Sequence, residues 1–223
     1  MTDDMAPLWL SLKVASCATL LVAGLGLPIS LFLARVRFPG KGFAAGALVL
    51  PLVLPPTVLG YLLLQVLGKR TWFGGWLDET FGIALVFHWS GAVVASAVAA
   101  FPLFFLPARG AFEAVDPALE DAARLLGRGE ASVFLSVTLP LAWRGVAAGI
   151  VLSFARALGD FGATMMVAGD IPGLTQTASL AIYDAVRAGD SARAAWLTLW
   201  ISGISIAALA FVQHSLPERG RRS

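Results

Sequence analysis

Between Val14 and Leu33 the chain runs without one charged side chain, and comparable apolar runs recur along the rest of it. A run of about 20 apolar residues is the length that crosses the hydrocarbon core of a bilayer. In that medium each backbone polar group must find its partner inside the protein, which leaves a bundle of helices as the solution. The runs place spans at about 10–34, 43–67, 83–107, 141–166 and 192–213, in one domain over 8–215. The fold class expected is therefore all-α, a polytopic membrane bundle of about five helices. Composition agrees: 58% of the 223 residues are hydrophobic and 13% are charged, against about a quarter charged in a soluble domain. A single cysteine, Cys17, excludes a disulfide and a cysteine metal site. His88 and His214 have no ligand-spaced partners and read as interfacial side chains, so no metal is expected. The N-terminus carries Asp3 and Asp4 rather than a basic region, and no small-residue cleavage site follows, so the first run reads as an uncleaved span. Nothing suggests nucleic-acid binding, internal repeats or a second domain.

Lys13 lies near the start of the first span and can snorkel to the interface. The second span holds Pro51, Pro55 and Pro56, and prolines at a span's centre kink it and free carbonyls. Such a kink belongs against other helices or beside a pathway. Residues 68–82 read as a polar hairpin with Trp72 and Trp76 at the interface. Residues 174–188 are expected to dip into the membrane or lie on it. Ten basic residues (Arg35, Arg37, Lys41, Arg109, Arg124, Arg128, Arg144, Arg219, Arg221, Arg222) fall on one side of this layout and four (Lys69, Arg70, Arg187, Arg193) on the other. The excess of Lys and Arg on cytoplasmic loops then puts the 109–140 loop inside and the N-terminus outside.

That loop is the longest polar interruption in the chain. Asp116 can cap a helix and Pro117 suits its first position. Leu119, Ala122, Ala123 and Leu126 recur on one helical face, with Glu120, Asp121 and Arg124 on the other and Glu120 spaced to pair with Arg124. Gly127 suits a left-handed cap, and a second apolar run from Val133 stops at Pro140. Either the helix packs its apolar face on its own chain, or it inserts that face into a groove on a soluble partner.

In the fourth span Arg156 and Asp160 stand four apart, on one helix face. Charges at such depth face the protein interior or water. Two readings stand: an ion pair that fixes the bundle, or a guanidinium that lines an anion pathway. Phe161, Met165 and Met166, with Pro55 and Pro56, are candidates for a gate beside it, or else ordinary core and lipid contacts. No phosphate-binding G-x-x-x-x-G-K-[ST] is present: beside Gly68-Lys69, Leu63 replaces the first glycine and Arg70 the hydroxyl residue. Any ATP hydrolysis must come from another chain. An intramembrane aspartyl protease is the rival enzyme class, on Gly159-Asp160 and Tyr183-Asp184, but the first glycine of its motif is missing and the motifs run in reverse order. A membrane anchor that moves no solute is a third class, which would need neither the kinked span nor the charge pair.

Asp121-Ala122-Ala123, Gly127, Val137 and Leu139-Pro140 keep the spacing of the E-A-A-x-x-x-G-x9-I-x-L-P loop of ABC importer permeases, with Asp for Glu and Val for Ile. The stretches A-R-A-L-G-D-F-G-A-T, V-A-G-D-I-P-G-L-T-Q-T-A-S-L-A-I-Y and L-P-L-V-L-P-P-T-V-L-G-Y resemble the molybdate permeases of that group, with sulfate and thiosulfate permeases as near relatives. The resemblance implies the type I importer permease fold and no enzymatic activity in this chain. It implies an inner-membrane homodimer that moves molybdate or tungstate, an extracytoplasmic molybdate-binding protein, and cytoplasmic ATPase subunits that hold the ATP and magnesium. Glu120 through Ala123, Gly127, Val137, Leu139 and Pro140 would then form the surface coupled to the ATPase.

Overall fold

A computed structural model describes residues 2–82 and 84–215, with side chains over 5–82 and 84–210. The tail arginines Arg219, Arg221 and Arg222, the first residue of the expected third span and the side chain of His214 lie outside the described residues. Among those described, every regular element is helical. The helices are α1 (Thr2–Arg35), α2 (Lys41–Val53), α3 (Pro56–Leu67), α4 (Trp72–Phe81), α5 (Trp89–Glu113) and α6 (Pro117–Leu125). Then come α7 (Glu130–Val133), a π-helical turn (Phe134–Thr138), α8 (Leu139–Leu158), α9 (Gly162–Ala168), α10 (Ala178–Arg187) and α11 (Ser191–Ser215).

Four stretches are single helices long and apolar enough to cross, within α1, α5, α7–α8 and α11. The fifth crossing is the pair α2–α3, whose axes bend by 116°. Neighbour contacts show that this pair traverses the bundle. Lys13 of α1 lies over the Trp89 ring at the start of α5, 3.7 Å from its centroid. At the other end Arg35 donates to the Val115 carbonyl just past α5, at 3.2 Å. So α1 and α5 run parallel, and the chain between them must return from one end of the bundle to the other. The core lies where α1, α5 and α8 meet, around Val14, Val22, Phe104, Phe112 and Val146. Gly145 and Gly149 let α8 approach α5 closely. A Cβ at Gly145 would stand 2.6 Å from the Pro107 oxygen, and one at Gly149 would stand 2.9 Å from the Phe104 oxygen. Small residues at this spacing serve helix packing where lipid removes any hydrophobic drive.

Several expected boundaries move. The second span is two helices, because Pro55 and Pro56 carry no N–H and the residue before a proline is driven to extended geometry. Leu54 takes that geometry, with ψ of 139°. Pro55 and Pro56 are exposed on the single chain, so the kink is not buried by its own neighbours. The third span begins at Trp89 rather than residue 83. The apolar 84–87 segment packs as a loop, with Phe87 in positive φ and its N–H on the Val167 carbonyl at 3.0 Å. His88 caps the helix through its ring nitrogen. The expected 68–82 hairpin is the short helix α4, capped by Thr71 and ended by Gly82 at φ 65°. Within the span expected at 141–166, α8 ends at Leu158 and a break separates it from α9. The helix at 178–187 has ten residues, too short to cross.

Candidate coupling surface and membrane-embedded polar site

Helix α6 forms as its residues demand. The Asp116 carboxylate accepts from the Ala118 N–H at 2.9 Å, and Pro117 starts the first turn. Its end is a Schellman motif: Gly127 at φ 82° donates to Arg124, and Arg128 donates to Ala123. A non-glycine residue would be strained there.

The faces of α6 are not those expected. Glu120 and Ala123 are the buried pair, whereas Leu119, Asp121, Ala122, Leu125 and Leu126 face outward, the last two at 89% and 83% exposure. Glu120 is turned inward because better donors than Arg124 wait there. Its Oε1 accepts from Arg35 Nη2 at 2.6 Å and from Thr138 Oγ1 at 2.7 Å, while Arg124 stands 3.9 Å from its other oxygen. Arg124 instead bonds Asp121 and Glu130, which holds its guanidinium more firmly protonated than usual. Two apolar residues so exposed beside a charged flank form a ridge suited to a groove on another protein.

The remaining expected coupling residues stand apart from the ridge. Val137, Leu139 and Pro140 lie in one continuous helical run from Glu130 to Leu158, so the second apolar run does not stop at Pro140. In a regular helix the Pro140 ring would strike the Ser136 carbonyl. The π turn just before it widens the backbone, with the Leu139 N–H on the Phe134 carbonyl. Thr138 is the link between the two groups.

Past Leu158, the break between α8 and α9 is organised by Asp160, which is 2% exposed. One carboxylate oxygen accepts from Arg156 at 3.0 Å, and the other accepts from the Thr164 N–H at 3.0 Å and its hydroxyl at 2.7 Å. Ser96 of α5 continues the chain, 3.3 Å from Thr164. The pair expected at positions 156 and 160 is present, but across the end of α8 rather than along one helix face. Asp160 serves as a cap for α9 as well as a counter-ion. Arg156 keeps part of its side chain, 29%, accessible. Three of the gate candidates each pack against a residue outside that set. Met166 lies against Gly60, and Pro56 against Gly162, where an added Cβ would approach within 2.6 Å in each case. The Phe161 ring centre lies 5.2 Å from that of Tyr183, the two planes tilted by 56°. Met165 is half-buried in α9.

The Asp184 carboxylate accepts from Gln176 at 3.0 Å, whereas that of Asp160 is taken up by Arg156 and Thr164, so the two keep separate partners rather than the shared proton a protease needs. Asp170 faces Asp184, and its carboxyl is pushed up by burial and by that neighbouring acid, with Gln176 opposing. Among the described residues no cluster could hold a metal ion.

Reading from sequence missed Arg35, Thr138, Thr164 and Ser96. For Thr164, a hydroxyl four residues past an apolar-span Asp was an available signal. For Arg35, 85 residues from Glu120, local spacing held none.

Comparisons with known proteins bear on this arrangement. The family model described as "Binding-protein-dependent transport system inner membrane component" matches residues 26–220. The chain is 44% identical over 217 residues to the molybdenum transport system permease protein ModB of Escherichia coli strain K12, covering 96% of this chain and 95% of that one. It is 45% identical over 184 residues to the protein of the same name from Haemophilus influenzae, covering 82% and 80%. Its fold resembles a chain of a bacterial ABC transporter involved in alginate import, with a TM-score of 0.75 at 14% identity, over 97% of this chain and 79% of that one. The bent second crossing, the outward ridge of α6 and the near full-length match to these permeases agree: the chain belongs to the family of inner-membrane components of binding-protein-dependent transport systems.

Proposed function

We propose that the chain is the permease subunit of an ATP-driven importer that carries molybdate, or the near-isosteric tungstate, across the inner membrane. The observation that carries the substrate is the 44% identity, sustained over 96% of the chain, to a permease named for molybdenum transport. The chain is a transport subunit and not an enzyme. In this reading ATP and magnesium belong to a separate ATPase, and no cofactor is bound by this chain.

The ridge of α6 supplies the cytoplasmic contact. Its exposed Leu125 and Leu126 would seat in a groove of the ATPase, and Asp121 and Arg124 would border it. Basic residues support the orientation. Among the described residues Arg35, Arg37, Lys41, Arg109, Arg124, Arg128 and Arg144 gather at the α6 end, against Lys13, Lys69, Arg70, Arg187 and Arg193 at the other. That bias supports α6 inside and the start of α1 outside. A second copy would cover α2, which buries no residue against its own chain. The anion would pass between the copies, delivered by an extracytoplasmic binding protein. The guanidinium of Arg156 is a candidate to meet it, since a planar cation matches an oxyanion, although Asp160 already neutralises one side.

The test is uptake of labelled molybdate by cells lacking other routes, with this chain, its ATPase and its binding protein restored, with and without excess sulfate. Uptake that requires the chain and resists sulfate is the expected result. Uptake abolished by modest sulfate would assign the chain to sulfate transport instead, and no uptake of either anion by the assembled complex would refute the substrate.

A further inference from the structure

A ridge that receives motion must pass it on, and α6 is tied to the spans through one side chain. Glu120 points away from the ridge, into the bundle, at 6% exposure. Its Oε1 takes two hydrogen bonds at once, from Arg35 at the last residue of α1 and from Thr138 at the last residue of the π turn. The other arm of the Arg35 guanidinium holds the Val115 carbonyl in the link from α5 to α6. One carboxylate therefore joins α6 to the cytoplasmic ends of α1, α5 and α8. Ionised hydrogen bonds of 2.6–2.7 Å are directional, whereas apolar contacts between smooth helices can slide. Thr138 also sits where the backbone departs from regular geometry, and π turns inside helices are frequent at functional sites.

We propose that Glu120, clamped by Arg35 and Thr138, is the positioning residue through which displacement of α6 is transmitted to α1 and α8. The proposal rests on the reading of α6 as the ATPase-coupling surface. It requires that loss of the clamp leave the ATPase bound to the permease but disconnect hydrolysis from the spans.

The experiment uses the complete importer in proteoliposomes. Anion uptake and ATP hydrolysis are measured with and without loaded binding protein, and co-purification of the ATPase is measured in parallel. Glu120→Gln keeps the shape and an acceptor but removes the charge. It should leave the ATPase bound, lower uptake about tenfold or more, and bring the stimulation of hydrolysis by the binding protein toward none, a change within the usual range of coupling between sites. Thr138→Val should do the same in weaker form. The exchange Arg35→Glu with Glu120→Arg should restore part of both readouts, which neither single change does. A merely structural role would lower expression or assembly without separating hydrolysis from the binding protein. Full stimulation in assembled Glu120→Gln overturns the proposal. Should that variant fail to assemble, full stimulation in assembled Thr138→Val overturns it equally. Leu125→Asp with Leu126→Asp is the separate control. If that ridge variant still binds the ATPase and transports, α6 is not the coupling surface at all. If it detaches the ATPase while Glu120→Gln stays fully coupled, the clamp alone is refuted.

Discussion

Asp160 and Gly127 show how much single residues decide. Asp160 is nearly inaccessible and satisfies three donors, so its removal strands Arg156 and uncaps α9. Breaking a buried ion pair from one side costs about 3–5 kcal/mol. Asp160→Ala should lower the thermal stability of the detergent-solubilised protein by an amount in that range, and Asp160→Asn by less, because the amide oxygen still accepts from Thr164. Equal melting of Asp160→Ala and the parent would mean that the break is held by packing alone. Gly127 has open space around it, so a side chain would meet no neighbour. The cost of Gly127→Leu is one of conformation, about 1–2 kcal/mol for a left-handed residue. That variant should insert normally and lose uptake, since the cap that ends the ridge is spoiled. Normal uptake would show that the end of the ridge is not used. Both Asp116 and Gly127 were legible in the sequence, because a cap needs only its own residue type. The orientation of Glu120 was not. Spacing offered Arg124, and the winning donor sits at the end of another span.

At the scale of elements, apolar run length located the long helices and misjudged where apolar residues stop being helical. Hydropathy records burial in lipid or protein, and it does not distinguish a helix from an apolar loop packed on one, as at 84–87. Proline was weighed correctly at Pro55–Pro56 and wrongly at Pro140. At the first site two adjacent prolines leave no N–H to continue the ladder, and the helix breaks. At the second a single proline is absorbed by widening the turn before it, at the level of Ser136 and Thr138. This yields a prediction. Pro140→Ala removes the clash that maintains the π turn, so the run from Glu130 to Leu158 can regularise. Dropping one residue from a turn rotates the segment before it by about 100° relative to α8. Thr138 would then leave the Glu120 carboxylate. Uptake should fall by an amount similar to that of Thr138→Val, with helix content unchanged by circular dichroism. Unchanged uptake in Pro140→Ala would show that the widened turn has no part in transmission.

For the whole molecule, five crossings follow from geometry rather than from hydropathy alone. Four helices satisfy length and composition, and the parallel course of α1 and α5 obliges α2 and α3 to carry the chain back. An odd number of crossings puts the start of α1 and the end of α11 on opposite faces, and in the proposed orientation the α6 end faces the cytoplasm. The arrangement predicts which side chains a membrane-impermeant maleimide can reach in intact cells. On a Cys17→Ser background, Lys69→Cys in the link before α4 should label from outside. Arg128→Cys, just past the cap of α6, should label only after the membrane is opened. Arg37→Cys should behave like Arg128→Cys, because α1 and α5 end together at the Arg35–Val115 contact. The last comparison tests the bent crossing directly. Were α2 and α3 to enter and leave by one face, Arg37→Cys and Lys69→Cys would label alike, and α1 and α5 would have to run antiparallel, against the pairing of Lys13 with Trp89. Unlike labelling fixes the pair as a true crossing, broken where Pro55 and Pro56 turn it toward the face that the single chain leaves open.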